Sequence, residues 1–322
     1  MLYLKTMLLF LYSLLLAIAS LVLIYASSKV VHSLEKLSHF FALREFSVAF
    51  ILMALATSLP EVFVAISSAL EKTPAIALGN ALGSNILNLT LVAGIIILAS
   101  KGIPARSVIV RHDALIMMAF AIAPLLLLSD KVLSRWDGTV LILFYLFYLF
   151  TLLRQRSAFK ERHNHVTKTE ALKSLLGFAS GVAFLLGASD VLVRISREMA
   201  LMLGVPLGLV GILFVALGTS LPEIAFELKA SRKGNSGLAL GDLVGSVVTN
   251  ATLVLGITSV ITPIKIPSLT IYLSSVLYLI TTLISFEIFV RTDKKLVHWE
   301  GVFLIFIYVC FLLTEMSLEY LR

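Results

Sequence analysis

Residues 54–61 read ALATSLPE, and residues 216–223 read ALGTSLPE. The two strings lie 162 residues apart, and other matches keep the same offset without a gap: Gly83-Ser84 with Gly245-Ser246, Asn88 with Asn250, and Gly94 with Gly256. A string such as TSLPE does not recur by chance in register with so many other matches. The chain therefore contains an internal duplication, and the duplicated string decides how the rest of the sequence is interpreted.

Composition places this duplication in a membrane. Of the 322 residues, 59% are apolar and only 14% are charged, whereas soluble domains are about 25% charged. These values exclude a soluble enzyme, a disordered chain and a disulfide-stapled secreted module. Lys and Arg in cytoplasmic loops explain the net charge of +7, so we expect no nucleic-acid partner.

Apolar runs separated by short polar pieces predict ten transmembrane helices, because each span needs about 20 residues. They lie near residues 7–28, 46–70, 75–99, 112–129, 137–153, 171–193, 204–229, 237–262, 267–287 and 299–318. The most polar connector, residues 154–170, separates a first transmembrane repeat (1–153, spans 1–5, motif 54–94) from a second (171–322, spans 6–10, motif 216–256). Since each half has an odd number of spans, the sequence predicts an all-α integral membrane protein with two inverted-topology five-helix repeats.

The basic residues predict the orientation. The odd-numbered loops and their borders hold 18 of the 26 Lys and Arg residues, and the even-numbered loops with both termini hold the other 8. Positive residues mark the cytoplasmic side. We therefore expect a multi-pass protein of the cell membrane with a cytoplasmic linker at 154–170 and both termini extracellular.

Glu61 and Glu223 fall midway along apolar spans, at matched positions. An acidic group at bilayer depth costs several kcal/mol unless it is paired or solvated. The prolines that precede them, Pro60 and Pro222, each remove one N–H and oppose the carbonyl one turn back. This predicts broken helices at the midplane with freed carbonyls near residues 218–219 and at the matched positions. Such carbonyls must face protein or a polar cavity.

The repeated motifs also contain side chains with neutral oxygens. The hydroxyls are those of Thr57, Ser58, Thr219, Ser220, Ser84 and Ser246, and the amides are those of Asn88 and Asn250. Ser84 and Asn88 lie four residues apart and so share one helix face. Glycines at 79 and 83 permit close approach, and we expect this face to press against the broken helix that carries Glu61.

A cage of oxygen ligands without Cys or His suits a hard cation. Two carboxylates neutralise one divalent ion, and Ca²⁺ with its flexible shell of six to eight oxygens fits better than Mg²⁺. The same oxygens could instead hold several Na⁺ ions. Competition between one Ca²⁺ and several Na⁺ for one cage would be the physical basis of exchange.

The two extended motifs, ALATSLPE…GNALGSNILNLTLVAG and ALGTSLPE…GDLVGSVVTNATLVLG, resemble the alpha repeats of the cation/calcium exchanger superfamily, especially the short prokaryotic sodium/calcium exchangers. The resemblance implies that Glu61 and Glu223 are the central Ca²⁺ ligands, aided by backbone oxygens of Thr57 and Thr219. It implies Na⁺ sites formed by Ser58, Ser84, Ser220, Ser246 and the carbonyls of Ala54 and Ala216, with Asn88 and Asn250 lining the middle. The first and sixth spans would slide as a gating bundle.

We therefore expect a secondary antiporter, and no enzyme, that works by alternating access. It would exchange Na⁺ for Ca²⁺ and export Ca²⁺, as a monomer in the lipid bilayer and without a cofactor. An alternative is an H⁺/Ca²⁺ exchanger in which Glu61 and Glu223 are protonated in place of binding Na⁺. Some prokaryotic sodium-coupled relatives have aspartate where this chain has Asn250, which leaves the coupling ion open. A cation channel and a membrane-embedded enzyme are further alternatives, but broken helices favour a carrier, and the spans hold no nucleophile–base pair.

Three of the other acids inside predicted spans are interpreted individually. Asp242 replaces the Asn80 of the first half, either facing the cytoplasmic mouth of the ion pathway or lying at the interface. Glu227 lies one turn past Glu223, and we interpret it as snorkelling or lining the exit. Asp190 is four residues before Arg194, a spacing that predicts an ion pair.

Overall fold

The structure is a computed structural model that describes residues 2–40, 57–100, 103–104, 108–154, 167–232, 234, 236–266, 269–292 and 295–320. Ala54 and most of the predicted linker 154–170 lie outside the described residues. The described part is almost entirely helical, as the sequence predicts.

In the first half, helix α1 spans Leu2–Phe40 and helix α2 spans Leu59–Leu70. Helix α3, Pro74–Leu87, continues through a π-helical turn, Asn88–Val92, into helix α4, Ala93–Ala99. Strand β1, Ile103–Pro104, precedes helix α5, Val108–Leu127, which ends in the 3₁₀ turn Leu128–Asp130. Strand β2, Val132–Leu133, leads into helix α6, Arg135–Arg154.

The second half begins with helix α7, Lys168–Leu203. Helix α8, Leu207–Val210, passes through a π-helical turn, Gly211–Val215, into helix α9, Ala216–Thr219, and helix α10 follows at Leu221–Arg232. Helix α11, Ser236–Thr249, continues through the π-helical turn Asn250–Val254 into helix α12, Leu255–Ile261. Strand β3 (Ile264–Lys265), helix α13 (Leu269–Thr292), strand β4 (Lys295–Leu296) and helix α14 (His298–Tyr320) complete it.

The duplication is visible in the helix boundaries. Helices α10, α11 and α12, and the π-helical turn between the last two, repeat α2, α3, α4 and their turn with a displacement of 162 residues at both ends. The short strands pair across the halves, β1 antiparallel with β4 and β2 antiparallel with β3. Reciprocal contacts of this kind are what a two-fold relation between two copies produces.

Seven helices in the described part are long and apolar enough to cross a membrane, and the bent pair Leu207–Thr219 and Leu221–Arg232 would make eight. Two of the ten predicted spans correspond to shorter apolar helices, Leu59–Leu70 and Ala114–Asp130. The spans Pro74–Ala99 and Gly237–Ile261 are 83% and 78% buried, whereas Met7–Val30 is 22% buried. The two helices that carry the Gly, Ser and Asn motifs therefore form the centre of the molecule.

Helices α1 and α7 are longer than their predicted spans. With 39 and 36 residues, they extend about 58 and 54 Å at 1.5 Å per residue, well beyond a hydrocarbon core of about 30 Å. Lys29, one residue past the predicted end of the first span, lies inside α1 because a helix can continue into water after its apolar window ends. The two helices pack on each other, and a Cβ on Gly181 would lie 2.6 Å from Val30 Cγ2. The missing side chain of Gly181 therefore lets α1 and α7 approach closely.

The glycine face of α3 packs against a different helix from the one we expected. A Cβ on Gly79 would lie 2.1 Å from the carbonyl oxygen of Gly208, and one on Gly83 would lie 2.5 Å from that of Ile212. Those partners belong to the broken span that leads to Glu223, so the expectation that this face presses on the helix of Glu61 is wrong. The reason is the reciprocal arrangement, in which the central helix of one half packs into the broken helix of the other.

Candidate functional site

The second copy of the TSLPE string breaks its span. Helix α9 ends at Thr219, Ser220 forms a turn, and α10 leaves at an angle of 43°. Pro222, the second residue of α10, has no N–H and so offers no helical donor to the carbonyl of Gly218. The predicted break is confirmed here. In the first half α2 begins likewise, directly after Ser58 and with Pro60 as its second residue.

Each broken span is hydrogen-bonded to the central helix of the other half. Thr219 Oγ1 donates to Asn80 Oδ1 at 3.0 Å, and Thr57 Oγ1 donates to Asp242 Oδ1 at 3.2 Å. Thr57 and Asp242 occupy the positions that match Thr219 and Asn80, so the second bond is the counterpart of the first with the two halves exchanged. The site is therefore assembled crosswise, and neither half forms it alone.

The serines repeat this pattern with one difference. Ser58 Oγ lies 3.2 Å from Ser246 Oγ, and Ser220 Oγ lies 3.0 Å from Ser84 Oγ. Ser220 Oγ is also 3.3 Å from Glu61 Oε1, so its one proton serves one of two acceptors. Within the described part of the chain, neither carboxylate oxygen of Glu223 has a hydrogen-bond partner. The two central acids are thus held differently.

The predicted site residues that the structure describes are all buried. Those with no accessible surface are Ser58, Glu61, Ser84, Asn88, Ala216, Thr219, Ser220, Glu223, Ser246 and Asn250, and Thr57 is 5% exposed. Several buried polar atoms have no partner among the described residues: Glu61 Oε2, both oxygens of Glu223, and the side-chain N and O atoms of Asn88 and Asn250. Buried polar groups are otherwise almost always paired with protein, water or an ion.

The donor chemistry of the centre fits a hard cation. Among the described residues no three His, Cys, Asp or Glu side chains converge as a metal-binding group. A cation here would therefore need the neutral hydroxyl, amide and carbonyl oxygens as well as carboxylates, which is the ligand type that Na⁺ and Ca²⁺ accept. The carbonyl of Ala216 already accepts the N–H of Ser220 at 3.1 Å, and its second lone pair remains for such a contact.

The two asparagines of the site begin π-helical turns, Asn88–Val92 and Asn250–Val254. Turns of this kind widen a helix by one residue and occur often at functional sites. The apolar runs 75–99 and 237–262 predict one continuous helix at each place. Neither stretch contains a proline or any other local signal for a π turn, so this feature was not predictable from the residues.

Two acids outside the predicted set lie beside it. Glu227 has no accessible surface and Asp242 is 2% exposed. Of the two interpretations of Glu227, snorkelling is therefore wrong, because a snorkelling carboxylate reaches water, and a place at the exit stays a prediction. The spacing held a signal, since Glu227 follows Glu223 by four residues and Asp242 precedes Ser246 by four, which places each pair on one helix face.

The predicted pair of Asp190 and Arg194 is confirmed, with 3.0 Å between Oδ2 and Nε. Arg194 also contacts Glu71 at 2.7 Å. Because Glu71 directly follows α2, this exposed arginine links α7 to the end of the helix that carries Glu61. A contact between Ser67 and Ser189, 2.9 Å apart, joins the same two helices in the interior.

The fold defines an all-helical, multi-pass membrane protein built from two related halves around a buried polar centre. Its sequence matches the family described as sodium/calcium exchanger protein twice, over residues 11–154 and 173–316. The two matched segments begin 162 residues apart, which is the offset of the internal duplication. The chain belongs to the sodium/calcium exchanger family.

Individual relatives agree with this assignment. The sodium/calcium exchanger MaX1 of Methanosarcina acetivorans is 27% identical over 316 residues, which cover 84% of this chain and 88% of MaX1. The inner membrane protein YrbG of Escherichia coli is 30% identical over 239 residues, 71% of this chain and 73% of YrbG. A solved structure of the sodium-calcium exchanger NCX_Mj, soaked with Na⁺ and Sr²⁺, superposes with a TM-score of 0.65 at 25% identity and covers 94% of this chain and 97% of that one. Membership of this family supports cation/Ca²⁺ exchange as the activity.

Proposed function

We propose that the chain is a secondary antiporter that exchanges Na⁺ for Ca²⁺ and exports Ca²⁺ by alternating access. The observation that carries the proposal is the crosswise bonding of the two broken spans around the two buried acids, Glu61 and Glu223. Both carboxyl groups lie among neutral oxygens, and Glu61 Oε2 and both oxygens of Glu223 have no partner among the described residues. A divalent cation supplies the two positive charges that such a pair requires.

The proposed ligands follow from the family and from this centre. Glu61 and Glu223 hold Ca²⁺ together with backbone oxygens of Thr57 and Thr219. The Na⁺ ligands are the hydroxyls of Ser58, Ser84, Ser220 and Ser246 and the carbonyls of Ala54 and Ala216, and Asn88 and Asn250 line the middle. Because the Na⁺ ions also share the charge of Glu61 and Glu223, binding of Na⁺ expels Ca²⁺.

The proposed arrangement in the membrane has ten spans in two inverted repeats, 1–153 and 171–322. Both termini are extracellular, and the linker 154–170 is cytoplasmic. The reciprocal strand pairs and hydrogen bonds between the halves support the two-fold part of this proposal. Helices α1 and α7, which pack on each other, form the gating bundle that slides across the site of a monomer.

Proton coupling is a second candidate because of the same buried acids. Neither Glu61 nor Glu223 forms an ion pair with a basic side chain within the described ranges. A carboxyl group in such surroundings avoids the cost of burial either by holding a cation or by taking up a proton. An H⁺/Ca²⁺ exchanger would use the second route on its return step.

Transport in proteoliposomes separates the two candidates. Vesicles containing the purified chain are loaded with Na⁺ and diluted into Na⁺-free buffer with ⁴⁵Ca²⁺, with and without a protonophore. Na⁺/Ca²⁺ exchange requires uptake that depends on the Na⁺ gradient and survives the protonophore. Uptake driven only by a pH gradient would reject Na⁺ coupling in favour of H⁺, and rapid flux without any gradient dependence would reject a carrier.

A further inference from the structure

Two acids next to the central site, Glu227 on α10 and Asp242 on α11, have no assigned role. Neither oxygen of Glu227 has a hydrogen-bond partner among the described residues, and Asp242 has one free oxygen, Oδ2. The other oxygen of Asp242, Oδ1, accepts from Thr57 Oγ1 at 3.2 Å. Three carboxylate oxygens of these two buried acids thus have no donor among the described residues.

The electrostatic surroundings of these acids are negative. Glu227 is repelled by Asp242, and Glu223 is repelled by both of them and by Glu61. Within the described part of the chain, none of these four acids is paired with Lys or Arg. A cation between Glu61 and Glu223 balances only that pair. The second pair needs a cation or protons of its own, because buried charge without a counter-charge is strongly unfavourable.

The first half shows that the fold does not need these acids. The positions that match Glu227 and Asp242 hold Ala65 and Asn80. Asn80 accepts a hydrogen bond from Thr219 in the same way that Asp242 accepts one from Thr57. Since a neutral pair supports the same helices and the same bond, the negative charge in the second half requires a functional explanation.

Both acids lie on one side of the centre. Glu227 is one turn beyond Glu223 toward Arg232, where α10 ends, and Asp242 is one turn before Ser246 toward Ser236, where α11 begins. They therefore lie between the central acids and the short connection from α10 to α11. An ion that moves between the centre and that face of the protein would pass them.

We propose that Glu227, Asp242 and the hydroxyl of Thr57 form a second binding site for a divalent cation, next to the central site and on the side of the α10–α11 connection. As a station on the ion route, this site rests on the exchange function proposed above. Its ligands are oxygens of carboxylate and hydroxyl groups, so the ion is a hard one such as Ca²⁺. The first half, with Ala65 and Asn80, has no counterpart, and the molecule therefore binds Ca²⁺ more strongly on one face.

Equilibrium binding of ⁴⁵Ca²⁺ to the purified full chain in Na⁺-free detergent tests the site directly. The variant Glu227→Ala with Asp242→Asn gives the second half the residues of the first half. We expect it to bind one Ca²⁺ fewer per chain than the original protein. Asp242→Asn alone preserves the size of the side chain and the bond from Thr57, and we expect it to weaken that site about tenfold.

The matched control is Glu315→Gln. Glu315 is also a buried acid with an oxygen that has no partner among the described residues, but it lies on α14, where Ser275 of α13 donates to it at 3.0 Å. We expect Ca²⁺ binding by this variant to equal that of the original chain. An equal loss in the control variant would overturn the assignment, since it would show a general effect of removing buried charge.

The binding measurement can refute the second site without refuting the exchange function, and the transport measurement can refute the exchange function without refuting the second site. If the original chain exchanges Na⁺ for Ca²⁺ and the double variant binds as much Ca²⁺ as the original, the second site is refuted and the exchanger stands. If the chain shows no exchange but the double variant still loses one bound Ca²⁺, the site stands and the exchange function is refuted. Elution of the variants as a single peak, with a melting temperature near that of the original, shows that each has folded.

Discussion

The helices that carry Ala65 and Asn80 in the first half have the same lengths as those that carry Glu227 and Asp242 in the second. Their boundaries are displaced by 162 residues, and the bond from Thr219 to Asn80 is repeated by the bond from Thr57 to Asp242. The backbone and its reciprocal contacts are thus duplicated, whereas the charge is not. In a duplicated transporter, geometry can be shared by the halves while the charge of each face is set independently.

The central acids show a second difference of this kind. Glu61 Oε1 lies 3.3 Å from the hydroxyl of Ser220, but Glu223 has no such contact among the described residues. Glu223 also has more negative neighbours than Glu61, because Glu227 and Asp242 belong to its side. Glu61 is therefore oriented by a hydrogen bond, whereas Glu223 has no such partner among the described residues.

The largest expected effect tests what the halves share. We predict that Glu61→Gln and Glu223→Gln each reduce ⁴⁵Ca²⁺ exchange at least about 100-fold, because loss of one partner from a buried charge pair costs roughly 3–5 kcal/mol. The measurement is initial uptake in Na⁺-loaded proteoliposomes, with Glu315→Gln as the control that keeps activity. Full activity in either glutamine variant would contradict an equal role of the two acids, since it would show that only one half supplies the essential charge.

A smaller effect is expected when the close packing between the two halves is disturbed. Gly83 lies so close to the opposite half that a Cβ would meet Ile212 O at 2.5 Å, whereas a Cβ on Gly187 of α7 would meet nothing within 4 Å. We predict that Gly83→Ala lowers the free energy of unfolding by about 1–3 kcal/mol. Gly187→Ala, the matched control, should raise it by about 0.5–1 kcal/mol, because alanine favours a helix. Chemical unfolding in detergent measures both, and equal stabilities would contradict the close crossing.

These contacts mark what the sequence could and could not predict. The duplication, the mid-span acids and the break at Ser220 were predictable, because each depends on residues that are close in the chain. The partner of Gly83 was not, since the residues alone do not say which of two nearly identical broken spans faces a helix. The two-fold packing of the whole halves determines which broken span contacts Gly83, and no local sequence pattern predicts that packing.

The length of α1 and the burial of Glu227 also could not be predicted from local sequence. The apolar window of the first span ends near residue 28, but α1 continues to Phe40 because a polar helix remains stable in water when it packs on α7. The position of Glu227 near the end of a span suggests snorkelling or a place at the exit, and only tertiary packing shows that its side chain is enclosed. The roles of the predicted ligands stay predictions, although their side chains lie together.

The smallest expected effect concerns the two matched serines of the site. Ser220 contacts both Ser84 and a carboxylate oxygen of Glu61. Ser58 instead contacts a neutral group, the hydroxyl of Ser246, at 3.2 Å. Hydrogen bonds to charged groups contribute about 1.5–3 kcal/mol and neutral ones about 0.5–1.5 kcal/mol. We therefore predict that Ser220→Ala weakens equilibrium ⁴⁵Ca²⁺ binding about tenfold and Ser58→Ala only about threefold. Equal losses would mean that the halves orient their central acids alike, and the difference between them would then rest on Glu227 and Asp242 alone.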